Sequence, residues 1–280
     1  RWVVPDRQLV ADHYTHGSLI NALLQGIQQL GKSPQSIDIE DLAAVDEFHI
    51  GGRTATESFL NQLDIDASHH ILDVGCGIGG AGRFAATKYG CRVTGVDLTR
   101  EFVEVGNTIC SWLGLEESVR LEQEDATQLT CSADTFDRAY LLHVGMNIAD
   151  KHGAAKELYR VIRPGGKIGI YDVMQVGDGE LAYPVPWAAT SQGSSLAPLT
   201  IYRSALEDAG FQVTGERNRR EFALEFFEQL QAKAVTREGP PPLGLHILMG
   251  SSAAVKIGNM IENISRNLIA PIEIVAEKLA

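Results

Sequence analysis

Ile71-Leu72-Asp73-Val74-Gly75-Cys76-Gly77-Ile78-Gly79-Gly80 is an apolar run holding one acid, followed by four glycines in six residues. Such a pattern reads as a strand entering a glycine-rich turn and then the first turn of a helix, where bare backbone N–H groups can approach a ligand closely. Gly75, Gly77 and Gly80 satisfy G-x-G-x-x-G, a fingerprint shared by dinucleotide sites. The turn alone leaves the ligand open, so its neighbours must decide.

Downstream, strand and helix signals alternate. A helix with Phe84, Ala85 and Tyr89 stops at Gly90; strand two runs from Cys91 to Val96 and ends in Asp97; a helix covers about Glu101 to Leu113. Strand three, Val119 to Glu122, precedes Glu124-Asp125-Ala126, and strand four, Phe136 to Leu142, delivers His143. A helix from about Lys151 to Ile162 turns through Arg163-Pro164-Gly165-Gly166 into strand five, Lys167 to Val173. Strands alternating with helices of this length imply βαβ units and a parallel, doubly wound α/β sheet. Ligands of such sheets sit beyond the carboxyl ends of the strands. Asp73, Gly75, Asp97, Asp125 and His143 all fall there, in one expected pocket.

Upstream, apolar spacing from Leu9 to Leu30 suits one or two amphipathic helices ended by Gly31 and Pro34. Tyr14, between His13 and His16, is either an amphipathic tip over the core or a contact to substrate. Thr54-Ala55-Thr56-Glu57 reads as a capping box opening a helix to Leu63, which leaves His49 just ahead of it. Past strand five, Ala182-Tyr183-Pro184-Val185-Pro186-Trp187-Ala188 is a stiff aromatic segment. A helix near Ile201 to Ala209, a sixth strand from Phe211 to Glu216, a helix from Glu221 to Ala234, a Gly239-Pro240-Pro241-Pro242 linker and two helices within Leu243 to Leu268 follow.

The bulk numbers agree with one elaborated domain: 280 residues, 44% of them hydrophobic, can bury a sizeable core. A net charge of −12 argues against nucleic acid as a partner, because that affinity rests on Lys and Arg neutralising phosphates. Cys76, Cys91, Cys110 and Cys131 show no metal-ligand spacing, so no metal is expected and reduced thiols in a cytoplasmic protein are. No apolar run reaches the ~18 residues of a membrane span. The chain begins at Arg1 rather than Met, which leaves any leader open. A homodimer through exposed faces of the C-terminal helices also stays open.

Which adenosine-bearing ligand the pocket suits depends on its acids. Asp97 would serve the ribose diol of a nicotinamide dinucleotide equally well. Asp73 discriminates, because it lies inside strand one, where burying a carboxylate requires donors or a cation such as a ligand ammonium. Asp125 with the small Ala126 could accept from a purine amine. Amine, diol and adenine together describe S-adenosylmethionine.

Asp73-Val-Gly-Cys-Gly-Ile-Gly-Gly, Asp97-Leu98, Asp125-Ala126 and Arg163-Pro-Gly-Gly resemble the successive motifs of class I S-adenosylmethionine-dependent methyltransferases over about Ile71 to Val173. Asp46-Glu-Phe-His-Ile-Gly-Gly, His143-Val-Gly-Met-Asn-Ile-Ala-Asp-Lys151 and Tyr183-Pro-Val-Pro-Trp-Ala188 look similar to the sarcosine/dimethylglycine N-methyltransferase group. The resemblance implies Gly75 and Gly77 beneath the methionyl and ribose portions, Asp73 fixing the methionyl end, Asp97 on the ribose hydroxyls, Leu98 against adenine, and Asp125 beside Ala126 at the adenine amine. It also implies a Rossmann-like sheet of seven strands, the last antiparallel and placed within 271–280. Residues 1–62 are then a helical cap, 63–217 the cofactor-binding core and 218–270 a helical lid.

Methyl transfer from a sulfonium needs alignment and exclusion of water more than acid–base chemistry. His143 and His49 are the candidate bases or acceptor-positioning groups, and packing under the cofactor's methyl end is the equal alternative for His143. Tyr14, Met146, Asn147 and Trp187 are candidates to shape the acceptor pocket. The expected function is methyl transfer to a small molecule, with nitrogen ahead of oxygen or carbon. A nicotinamide-dependent oxidoreductase and a silent cofactor-binding module are the alternatives from other classes.

Overall fold

The computed structural model describes residues 7–15, 17–235, 239 and 241–280; His16 and Pro240 lie outside them. In chain order the elements are α1 (Arg7–Tyr14), α2 (Leu19–Gln29), α3 (Ile39–Asp46), α4 (Gly52–Leu60), β1 (His70–Val74), α5 (Gly80–Tyr89), β2 (Arg92–Asp97), α6 (Arg100–Trp112), β3 (Val119–Gln123) and β4 (Phe136–Leu142). They continue with α7 (Lys151–Val161), β5 (Ile162–Gln175), α8 (Leu199–Ala209), β6 (Gln212–Asn218), α9 (Arg220–Val235), α10 (His246–Met249), α11 (Ala253–Ser265) and β7 (Ile269–Glu277).

The seven strands form one sheet in the order β3-β2-β1-β4-β5-β7-β6. Pairings from β3 through β5 are parallel, and β7 runs antiparallel between β5 and β6. Strand alternation sends Leu72 and Val74 to one face, where they join Leu158, Leu206 and Ile170, and sends Ile71 to the other, with Phe59, Leu63, Tyr140 and Tyr171. Both faces are therefore covered, which is why these strands read as nearly continuous apolar runs. Each fully buried Leu or Ile contributes roughly 1.5–3 kcal/mol of apolar transfer. The order reverses between β1 and β4, and the crevice above that point is where the glycine turn and His143 meet.

Helix α2 places Leu19, Leu23 and Ile27 four residues apart, so one stripe packs on Phe102 and Ile109 of α6 and on Leu243 and Leu248 near α10. Helices α9 and α11 bring Phe227, Met260 and Ile264 onto Val185, Trp187 and Met146. Helices from before β1 and from between β6 and β7 thus roof the same end of the sheet.

Three local expectations are corrected. Helix α4 starts at Gly52 behind Gly51, whose φ of 96° is left-handed, and no side chain caps it. The expected box at Thr54–Glu57 does not form, since the earlier start places Thr54 inside the helix rather than at its cap, and Glu57 pairs with Lys88. The helix ends at Leu60 and gives way to one tight 3₁₀ turn over Asn61–Leu63. Strand β5 begins at Ile162, so Arg163–Gly166 forms an irregularity inside its pairing with β4 rather than a separate turn.

Candidate active site

The glycine turn is built by its own backbone. Gly75 (φ 70°) and Gly77 (φ 54°) are left-handed, and a Cβ on Gly75 would run into Val144. Around Gly77 nothing stands within 4 Å of where a Cβ would be, so its backbone is open to a ligand. Asp97, at the end of β2, accepts from the Gly77 amide at 2.9 Å and from the Thr99 amide at 2.8 Å, which ties the turn to the neighbouring strand. Burial raises the Asp97 carboxyl above its ordinary value, although both amides oppose that.

Asp73 is buried within β1, and the Tyr140 hydroxyl of β4 donates to it at 3.1 Å. Desolvation pushes its pKa up to about 7, with the Asp97 and Glu47 charges adding to the rise. An acid so placed gains from a cationic ligand group. At the far end, Asp125 accepts from the Thr127 amide and hydroxyl, and its other oxygen lies 2.8 Å from Arg7 Nε of α1. Leu98 and Ala126 line the same cavity, whose volume is about 920 Å³.

His143 leaves β4 with φ 58°, in a region that a non-glycine residue rarely occupies. Its ring is fixed at both nitrogens: Nδ1 donates to the Tyr171 carbonyl at 3.0 Å, and Nε2 accepts from the Ile50 amide at 3.4 Å. Burial, helped by the neighbouring His49, pushes its pKa down to about 3. The His49 ring lies 5.9 Å away, and burial lowers its pKa too. Since the Thr56 hydroxyl gives its proton to Glu47 at 2.6 Å, the His49 Nε2–H donates to Thr56 across 2.9 Å.

The expected acceptor residues are linked. Tyr14 donates to Asn147 Oδ1 at 3.0 Å, and Asn147 Nδ2 donates to the Trp187 carbonyl at 3.0 Å. Trp187 is buried, and its indole N–H donates to Ser194 at 2.9 Å. Met146 lies beside them in the cavity wall. The structure therefore brings every expected site residue to one cavity.

Sequence reasoning passed over the groups that hold this arrangement in place. Arg83, fully buried in α5, donates to Asp46 and to the Ile78 carbonyl, both at 2.6 Å, and so anchors the glycine turn to α3. A single cation in the apolar run Ala81 to Ala86 was its signal. Asp172, buried in β5, accepts from the amides of Val144 at 2.8 Å and Gly145 at 2.9 Å. Burial raises its pKa to about 6. Lys151 completes that loop by donating to the carbonyls of Gly145, Ile148 and Ser195, and burial lowers its pKa to about 8. Asp172 is an acid inside an apolar strand, the same signal that singled out Asp73.

A family model described as a methyltransferase domain matches residues 71–166. The methyltransferase GfsG of Streptomyces halstedii is 30% identical over 208 residues, which is 73% of this chain and 73% of the relative. Phosphoethanolamine N-methyltransferase 1 of Triticum aestivum is 31% identical over 179 residues, covering 64% of this chain and 35% of that protein. The chain thus spans about a third of the length of that plant relative. Among solved structures, the (4+2)-cyclase SpnF shares the fold over 99% of this chain and 98% of its own, with a TM-score of 0.70 and 20% identity. The left-handed glycine turn tethered to Asp97, the antiparallel last strand and these likenesses converge: the chain belongs to the class I S-adenosylmethionine-dependent methyltransferases.

Proposed function

We propose that this methyltransferase acts on the nitrogen of a small molecule seated above His143, with residues 218–270 as the lid. The supporting observation is that both ring nitrogens of His143 are engaged while burial holds the ring neutral, so the methyl end has no strong base there. An acceptor that attacks as its neutral form fits such a site, and an amine lone pair does so without a base acting in the transition state. The likeness of Asp46–Gly52 and Tyr183–Ala188 to the sarcosine/dimethylglycine N-methyltransferase group supports the same atom.

S-adenosylmethionine, when bound, supplies a methyl group on a positively charged sulfur. The nitrogen lone pair forms the new C–N bond, the S–C pair returns to sulfur to leave S-adenosylhomocysteine, and the amine proton passes to solvent. Gly75 and Gly77 offer the backbone surface beneath the donor, Asp97 the acceptor for ribose hydroxyls, Asp73 the counter-charge at the methionyl end, and Asp125 with Leu98 and Ala126 the adenine wall. His143 and His49 orient the acceptor rather than deprotonate it. Three of the four cysteines are buried and none is in a disulfide, which supports a reducing compartment such as the cytoplasm.

Release of S-adenosylhomocysteine over matched amine and hydroxyl panels tests this reading. Amines should turn over with a rate that rises with pH through the amine's own pKa, and His143→Gln should lower kcat without moving that profile. Turnover of hydroxyls alone, with a limb abolished in His143→Gln, would replace nitrogen by oxygen and positioning by base catalysis. Asp97→Ala should weaken S-adenosylhomocysteine by about tenfold or more, since it removes a charge-assisted acceptor.

A further inference from the structure

The cavity continues past the donor site into the space under α9, α10 and α11, and the chemistry of that second half is distinct. Phe226, Phe227 and Leu230 of α9, Met249 of α10, and Ile257 and Met260 of α11 form its wall. Among the described residues, that wall carries Lys233 and His246 as its ionisable groups and no carboxylate. Each acid lining the rest of the cavity outside the donor site holds a partner within the protein, while Asp46 Oδ2, on a wholly buried side chain, is left without one. Asp46 faces Arg83, Glu47 is shared by Arg53 and Thr56, Asp150 caps the Gly153 amide at 2.8 Å, and Glu124 accepts from the Thr130 amide at 3.1 Å. Arg7, the cation of the opposite end, is paired with Asp125.

Burying an ionised group without a partner is expensive. A wall of this composition offers no counter-ion to an ammonium carried away from the reacting nitrogen, and it offers a phosphate only the exposed Lys233 and the half-buried His246 rather than a cluster of guanidinium groups. Apolar contact is what it offers, in the part of the cavity of about 920 Å³ that lies beyond the donor site. We infer that the methyl acceptor is an uncharged, predominantly hydrocarbon molecule large enough to fill the space beneath α9–α11, with its nucleophile at the end facing His143. This deepens the proposed function and rests on it. It also separates this chain's acceptor from zwitterionic amino acids and from phosphorylated amines. The same apolar surroundings favour the neutral form of an entering amine, which is the form that attacks.

N-phenyl-1-naphthylamine, an uncharged apolar amine whose emission rises on leaving water, is the probe. The 280-residue chain is first titrated with S-adenosylhomocysteine by calorimetry, and the probe is then added to the complex. One probe per chain should bind, with blue-shifted emission, and neither sarcosine, choline nor phosphoethanolamine should displace it at millimolar concentration. Leu230→Arg, at a position 43% exposed and so tolerant of charge, and Phe226→Asp should each weaken the probe by about tenfold or more while leaving S-adenosylhomocysteine affinity unchanged. Probe affinity equal in wild type and both variants, or displacement by choline or phosphoethanolamine, overturns the inference. Failure to bind S-adenosylhomocysteine would instead overturn the donor-site reading, so the two failures are distinct.

Discussion

Asp73 shows how one residue carries fold, stability and function at once. Its pKa of about 7 in the folded chain stands against about 3.9 for an exposed Asp, so between those values the folded state holds a proton that the unfolded state has lost. Stability from this group is therefore full below pH 4 and declines as pH rises toward 7, by on the order of a few kcal/mol at pH 8. His143 works in the opposite direction, adding stability as pH rises from about 3 to its ordinary value, so the whole-protein profile mixes the two. Comparison with Asp73→Asn isolates the first effect: the stability difference from wild type should shift in favour of the variant between pH 4 and 7 in urea titrations. An ammonium beside the carboxylate reverses the preference for the proton. S-adenosylhomocysteine affinity should accordingly rise from pH 6 to 8 in wild type and stay flat in Asp73→Asn, and parallel slopes would remove Asp73 from the donor site. This acid was legible because it interrupts an apolar strand. Tyr140, its donor, was not, because a Tyr in a buried strand also suits plain core packing.

At the level of elements, the sheet was legible and the approach to α4 was not. Short apolar runs alternating with helical spacing, with Gly90 and Gly210 as left-handed helix stops, mark strands and helices from local sequence alone. The segment before α4 follows long-range contacts instead. Thr54–Glu57 has the residues of a capping box, yet Gly51 reaches a conformation that starts the helix earlier, which puts Thr54 inside the helix, and Thr56 joins Glu47 and His49 in the core. The Thr56 hydroxyl, buried between an acid and an imidazole, completes the hydrogen bonding of Glu47 Oε2 and His49 Nε2 in the core. Thr56→Val, matched in size, should therefore cost about 1–3 kcal/mol in chemical denaturation. A helix-cap role would predict no loss at this interior helical position, and a loss below about 0.5 kcal/mol would mean that His49 and Glu47 find other partners.

Across the whole molecule, the cavity is closed by segments far apart in sequence, and a short chain of hydrogen bonds joins them. Tyr14 of α1 holds Asn147, and Asn147 holds the backbone at Trp187; His13 of α1 meets the Pro186 carbonyl at 3.0 Å. The N-terminal helix, the loop after β4 and the aromatic segment after β5 are thereby coupled over the acceptor. The sequence offered each of these residues separately, as polar or aromatic interruptions, but the pairing depends on the topology that returns all three segments to one edge of the sheet. Tyr14→Phe keeps the ring against Phe48, 6.2 Å between centroids, and removes the hydroxyl alone. It should cost about 0.5–1.5 kcal/mol, the net worth of one hydrogen bond. Coupling makes a further demand: amide exchange should accelerate in α1 and also around Pro186–Ala188, with the acceptor KM rising more than kcat falls. Faster exchange confined to α1 would show that the three segments close the cavity independently, and then the acceptor pocket would owe its shape to the C-terminal helices rather than to the link through Asn147.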